Sequence, residues 1–321
     1  MSIDLASTLL APPILFFLLG MAAGFVRSDL AVPEAVSKTL ALYLMLCIGF
    51  KGGVAARAEG FHAEMAVVAL LGVGLSVLLP LCIFPAVRRL CGLDRATAAG
   101  LAAAYGSVSL VTFAAAGAYM TEAGSPAGGY MAAVLALMEA PAILVALMLV
   151  RQTPETSGQG RGRLHEVFTN GALVVLAGSF LIGLVTGAPG LAKLSPFVVD
   201  LFPGMLCLFL LDMGLVASRA LAGGGRIGVP LLISGVAIPL SGGLVAGLLA
   251  ALFAVPAPEA AMLMVLAASA SYIAVPAAMR LALPQADPGV YVTVPLAVTF
   301  PFNLLVGIPL CHALATRFLT G

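Results

Sequence analysis

The chain has 321 residues, of which 62% are hydrophobic and only 9% charged, with a formal net charge of +1. Soluble domains carry about a quarter charged residues, so this chain cannot cover a water-facing surface and reads as an integral membrane protein. The near-neutral charge offers no footprint for nucleic acid, and continuous apolar runs exclude the alternating strands of a membrane barrel.

Ten apolar spans follow in order, near 8–26, 34–51, 63–86, 96–119, 127–150, 166–187, 195–216, 227–254, 258–281 and 288–316. Each is about long enough to cross a bilayer. The first lacks a basic leader segment, carries Asp4 and stays apolar to Val26. It is therefore expected to be a retained transmembrane helix rather than a cleaved signal. The one long polar stretch, "RQTPETSGQGRGRLHE" from Arg151 to Glu166, reads as a flexible linker. It divides the chain into a first five-span unit (1–150), a linker (151–165) and a second five-span unit (166–321).

Ten spans put both termini on one side. That side then holds Lys51, Arg57, Lys193 and Arg317, and the opposite side holds the other eleven of the 15 basic residues, three of them in the linker. The positive-inside rule predicts a cytoplasmic linker and both termini outside, the arrangement of a bacterial inner-membrane protein.

The halves resemble each other. "SVS" at Ser107–Ser109 recurs as "SAS" at Ser269–Ser271, and "GMAAG" at Gly20–Gly24 recurs as "GLVTG" at Gly183–Gly187. Pro33 matches Pro196, "VAARA" from Val54 matches "VASRA" from Val216, Tyr130 matches Tyr291, and Pro141 matches Pro301. The offset drifts slowly between 160 and 163 residues. Units with an odd number of spans face opposite ways. The expected fold is thus an all-α membrane protein of ten helices in two inverted five-helix repeats, a common transporter architecture.

Spans 4 and 9, "YGSVSLVT" (Tyr105–Thr112) and "ASASYIAVP" (Ala268–Pro276), place small and hydroxyl residues where lipid-facing helices carry aliphatic ones. Glycine and proline there predict two broken helices. A half-helix N-terminus aims amide groups and partial positive charge at the gap, which suits a small anion. Gly106, Ser107, Ser109, Thr112, Ser269, Ser271 and Tyr272 are the candidate substrate-binding residues. Small residues and serines also serve close helix packing, which is the competing explanation for either span alone.

Two acids fall within apolar spans, Glu139 and Asp212, and an ionisable group at membrane depth marks a cation or proton site by default. Asn303 and Thr299, the latter 160 residues after Glu139, complete a candidate cation-binding set with Glu139. Asp200 is expected near a membrane face and without a role. Gly223–Gly225 read as a turn. The five cysteines lack metal-type spacing and read as packing residues. No HExxH, GxSxG or phosphate-binding loop is present, so the chain is expected not to be an enzyme and to bind no organic cofactor. Transport without an ATP-binding domain must be driven by an ion gradient or be passive. Three readings follow: a secondary transporter of a small anion, a permease of the same fold with another anion or coupling ion, and a non-transporting membrane sensor or scaffold.

Nearly the whole chain resembles the sodium-dependent bicarbonate transporters best known from cyanobacteria. "YGSVSLVT" is similar to the family's first broken-helix motif, "FGAVSGST", at Gly106, Val108, Ser109 and Thr112. "LMEAPA" at Leu137–Ala142 resembles a "MDIPA" segment, with Glu139 in place of the aspartate. The stretch from Ala268 to Val292 resembles the second motif at Ser269, Ser271, Ile273, Pro276, Arg280, Pro284, Ala286, Pro288 and Tyr291. The resemblance implies two discontinuous helices crossing at midmembrane, bicarbonate between their ends, a bound sodium ion alongside, and an elevator-type movement. It also implies a homotrimer and a soluble signalling protein of the PII type at the cytoplasmic face. Departures are concentrated in the motifs. Tyr272 stands at the family's acidic position, Ala274 and Val275 replace a serine and a glycine, and Leu110-Val111 replaces a glycine-serine pair.

Overall fold

The computed structural model describes residues 11–60, 62–150, 171–222, 228–272, 275, 276, 278, 279 and 283–319. The expected linker at 151–165, the turn at Gly223–Gly225, and Ile273, Ala274 and Arg280 of the second motif lie outside them. Among the described residues every regular element is helical.

The first half contains α1 (Pro12–Phe25), α2 (Glu34–Glu59), α3 (Ala63–Leu90), α4 (Arg95–Gly106), α5 (Leu110–Glu122) and α6 (Met131–Val150). The second contains α7 (Gly171–Ser195), a π-helical turn at Pro196–Asp200, α8 (Phe202–Ala222), α9 (Val229–Leu252) and α10 (Ala257–Ala268). The last segment is assembled from α11 (Pro288–Tyr291), π turns at Pro295–Thr299 and Asn303–Gly307 around the single turn α12 (Phe300–Phe302), and α13 (Ile308–Phe318). Pro295, Pro301 and Pro309 stand at the first or second position of these pieces, and helical φ/ψ runs through the residue before each piece, Val294, Thr299 and Gly307.

Among the described residues seven segments are long and apolar enough to cross a membrane, and α1 and α10 are shorter apolar helices. The difference from ten predicted spans has identifiable causes. The described part of the first span begins only at Ala11, so α1 runs for 14 residues. α10 stops after 12 residues, at the second predicted break. Val174–Ala222 forms one apolar segment of 49 residues, about 70 Å at 1.5 Å per residue. That is more than twice the hydrocarbon thickness, and the helix is interrupted at Gly187 (φ 60°, ψ −154°). This positive φ favours glycine. There Arg57 of α2 donates to the carbonyls of Leu184 and Val185, satisfying the end of the preceding turns.

Close helix approach comes from the glycines of the two matching motifs. A Cβ added at Gly20 of α1 would sit 2.0 Å from the carbonyl oxygen of Leu211 in α8. One at Gly183 of α7 would sit 2.1 Å from that of Phe50 in α2. The partners reciprocate: Gly214 of α8 faces the Phe17 carbonyl at 2.2 Å, and Gly53 of α2 faces the Phe180 carbonyl at 1.9 Å. α1 thus packs on α8 as α7 packs on α2. Further contacts match in the same way, α3 on α4 and α9 on α10, α4 on α6 and α10 on α13. Within hydrocarbon, such backbone-to-backbone contact supplies the packing attraction that apolar burial cannot. Large aliphatic residues such as Leu70, Val185, Leu248 and Leu252 are left on the outer surface.

α4 is capped by Asp94, whose carboxylate accepts from the amides of Ala96 (2.9 Å) and Thr97 (3.0 Å). Partial burial works to raise this carboxyl, but the hydrogen bonds outweigh it and hold its pKa below the usual value. α4 is therefore anchored at its start and ends, buried along its length, at Gly106.

Gly53→Ala is expected to lower the thermal midpoint of the detergent-solubilised protein, at a cost of about 1–3 kcal/mol for forced overpacking. Gly74→Ala, where an added Cβ meets nothing within 4 Å, is expected to leave it unchanged or raise it. Thermal unfolding followed by size-exclusion chromatography distinguishes the two.

Candidate functional site

The two predicted breaks are present and touch each other. α4 ends at Gly106 and α5 begins at Leu110, so Ser107, Val108 and Ser109 form the first break. α10 ends at Ala268, and Ser269 to Tyr272 form the second. Ser107 (φ −86°, ψ 178°) and Ser269 (φ −86°, ψ 173°) close their helices in the same extended conformation, 162 residues apart. Ser109 and Ser271, again 162 apart, each accept from the amide of the half-helix that follows: Thr112 at 3.2 Å and Val275 at 3.3 Å. Gly106 is required by packing, since a Cβ there would lie 2.5 Å from Pro80 of α3 and 3.0 Å from Ala142 of α6.

Two backbone-mediated bonds join the breaks. The Ser109 amide donates to Ser269 Oγ at 2.9 Å, and Ser269 Oγ in turn donates to the Leu266 carbonyl at 2.7 Å. The Ser271 amide donates to the Ala104 carbonyl at 2.8 Å. Each segment thus satisfies groups that the other's broken helix leaves open, which in a dry interior cost several kcal/mol apiece if unmet. Ser109 Oγ also donates to the Tyr272 hydroxyl at 3.3 Å. The Tyr272 ring lies 5.4 Å from that of Phe300.

The arrangement is not symmetric. The bond from Ser109 N–H to Ser269 Oγ has a counterpart in sequence, from Ser271 N–H to Ser107 Oγ. That amide goes to Ala104 instead, and Ser107 Oγ is buried without a partner among the described residues. It lies beside the N-terminus of α5, where the amides of Leu110 and Val111 likewise meet no acceptor among the described residues. A neutral hydroxyl and free amides at the positive end of a helix form a donor set without a fixed charge, suited to a small anion.

The last segment supports the breaks from behind. Asn303 Nδ2 donates to the Ala268 carbonyl at 2.7 Å, occupying the end of α10, while its Oδ1 is buried and unpartnered among the described residues. Thr299 Oγ1 donates to the Gly235 carbonyl at 2.6 Å and lies 2.6 Å from the fully buried Tyr105 hydroxyl. Its π turns move Thr299 and Asn303 to the same side as the breaks.

Glu139 is half-buried on α6, one turn before the Ala142 that meets Gly106, and has no hydrogen-bond partner among the described residues. Asp212 is elsewhere. It accepts from Ser37 Oγ across the α8–α2 contact and does not reach the breaks. Asp200 is exposed in the π turn between α7 and α8. Tyr105 carried no assigned role in the sequence, although it opens the first motif. Only the fold brings its hydroxyl to Thr299, 194 residues away.

A family profile described as the Na+-dependent bicarbonate transporter superfamily matches residues 12–316, nearly the whole chain. The chain belongs to that superfamily. No individual curated protein matches significantly. Of the residues that carried the resemblance, Ser109, Ser269 and Ser271 hydrogen-bond across the breaks.

Ser269→Ala is expected to destabilise the protein by about 1–3 kcal/mol, because it leaves the Ser109 amide buried and unpaired. Ser107→Ala removes a hydroxyl without a partner and is expected to leave the thermal midpoint unchanged. The same solubilised-protein melting assay measures both.

Proposed function

We propose that this protein is a sodium-coupled secondary transporter of a small anion, bicarbonate, which binds between the two helical breaks. The observation that carries the reading is the buried, unpartnered Ser107 hydroxyl beside the open N-terminus of α5. A monovalent oxyanion would accept from that hydroxyl and from the Leu110 and Val111 amides. Ser109, Ser271 and Tyr272 hold the cradle, and Thr112 fixes Ser109. Asn303 Oδ1 and the carbonyl ends of α4 and α10 supply neutral oxygens and negative dipole ends, the ligand type a sodium ion takes.

The inverted five-helix repeat, with ten crossings and the breaks crossing at midmembrane, is the frame for this reading. The matched packing of α1 on α8 and α7 on α2, and the matched capping by Ser109 and Ser271, support it. An elevator-type displacement of the unit containing α4, α5 and α10 against α1, α2, α7 and α8, within a homotrimer, is the associated mechanism.

A second reading concerns the coupling ion only. Tyr272 cannot neutralise a cation as an acid would, and Glu139 is an ionisable group near Gly106 without a described partner, so proton coupling through Glu139 is the alternative.

Reconstituted protein is expected to accumulate labelled bicarbonate under an inward sodium gradient and not under an equal potassium gradient. Ser107→Ala is expected to lower uptake about 10–100-fold at limiting substrate, the loss of one hydrogen bond to a charged ligand. Uptake that follows a pH gradient and vanishes in Glu139→Gln, with sodium immaterial, selects the second reading. Unchanged uptake in Ser107→Ala contradicts the assigned cradle.

A further inference from the structure

One cation, partly buried, lines a cavity beside the half-helices that flank the breaks. Lys51 of α2 is two turns inside the end of its helix at Glu59, and its ammonium sits 3.7 Å above the centroid of the Phe202 ring at the start of α8. It forms no ion pair among the described residues. Lys51 and Phe202 both line a cavity of about 750 Å³ between α1, α2, α5, α6 and α8. The opposite wall reaches Phe113 of α5, whose amide donates to the Ser109 carbonyl at 3.0 Å, and Met262 of α10, two turns before Ser269. The cavity therefore runs from the Lys51 ammonium to α5 one turn beyond Ser109 and to α10 two turns before Ser269.

Two acids share this cavity, Glu59 and Glu122. Each is the last residue of its helix, α2 and α5, and so belongs to the rim, and Glu59 is held by the Gly129 amide at 3.0 Å. The charges are thus layered, with acids at the mouth and the ammonium further in. A lysine at this depth is costly. The aromatic contact offsets only part of that cost, and an aliphatic residue would join α2 to α8 without it.

We propose that Lys51 is an anion-collecting residue, which holds a small monovalent anion against the Phe202 edge before it reaches the helical breaks. The assignment of this anion as cargo rests on the transport reading above; the binding point itself does not. An unpaired positive charge in an open, apolar-walled cleft concentrates counter-ions locally.

The chain contains no tryptophan, so Phe202→Trp places a single fluorophore beneath the ammonium and keeps a cation–π partner. In full-length F202W protein in lipid nanodiscs, iodide is expected to quench the indole about fivefold more efficiently than in F202W/K51Q. That is the effect of one unit charge at contact distance in water. Neutral acrylamide is expected to quench both alike, and F202W/K51R to retain the iodide effect. Equal iodide quenching with and without Lys51 overturns the proposal. So does a parallel fall in acrylamide quenching, which would mean that K51Q had closed the cavity. Bicarbonate uptake measured alongside separates the two claims. Lys51-dependent quenching in a protein that moves no bicarbonate keeps the binding point and removes the transport reading. Uptake with Lys51-independent quenching does the reverse.

Discussion

An apolar span cannot leave a peptide group unpaired, and every feature of the centre of this protein answers that constraint. α4 and α10 both stop at a serine in extended conformation, far from water. Groups freed at the breaks are met across them, the Ser109 amide by Ser269 Oγ and the Ala104 carbonyl by the Ser271 amide, and the Ala268 carbonyl is met by Asn303 of the last segment. The two breaks are therefore one unit. What the two breaks leave unmet among the described residues lies at the Ser107 hydroxyl and at the first amides of α5.

The glycine motifs make this mutual capping possible. Gly20, Gly214, Gly53 and Gly183 bring α1 against α8 and α2 against α7 at backbone distance. Beside the breaks, Gly242 does the same against the Ala267 carbonyl, and Gly106 makes room for the Pro80 ring. Tight packing in a medium as apolar as the side chains depends on such contact.

Much of this was legible in the sequence, because it depends on local chemistry. Serine-rich stretches at the centre of two apolar runs marked both breaks, and the spacing of "SVS" and "SAS" paired them, whereas Pro80, Pro141 and Pro239 lie inside helices that continue through them. The glycine pairs were legible for the same reason. The membrane class followed from charge content alone. What remained hidden depends on distant partners. Nothing local in Tyr105 points to Thr299, and Asp212 looked like Glu139 although its carboxylate is occupied by Ser37. The asymmetry at Ser107 was also invisible, because the repeat predicts equivalence and the Ser271 amide chooses a carbonyl instead. The count of crossings was obscured where a long apolar run turns at Gly187 and where α10 stops early at its break.

The central claim is that Ser107 and the α5 N-terminus form an anion cradle closed by the second break. A cryo-electron microscopy map of the protein in lipid nanodiscs with sodium bicarbonate tests it most directly. The account predicts density for a small planar anion within hydrogen-bond distance of Ser107 Oγ and the Leu110 and Val111 amides, with the Ser109–Ser269 bond intact. An anion bound elsewhere, or breaks separated so that this bond is absent with the anion in place, would contradict it.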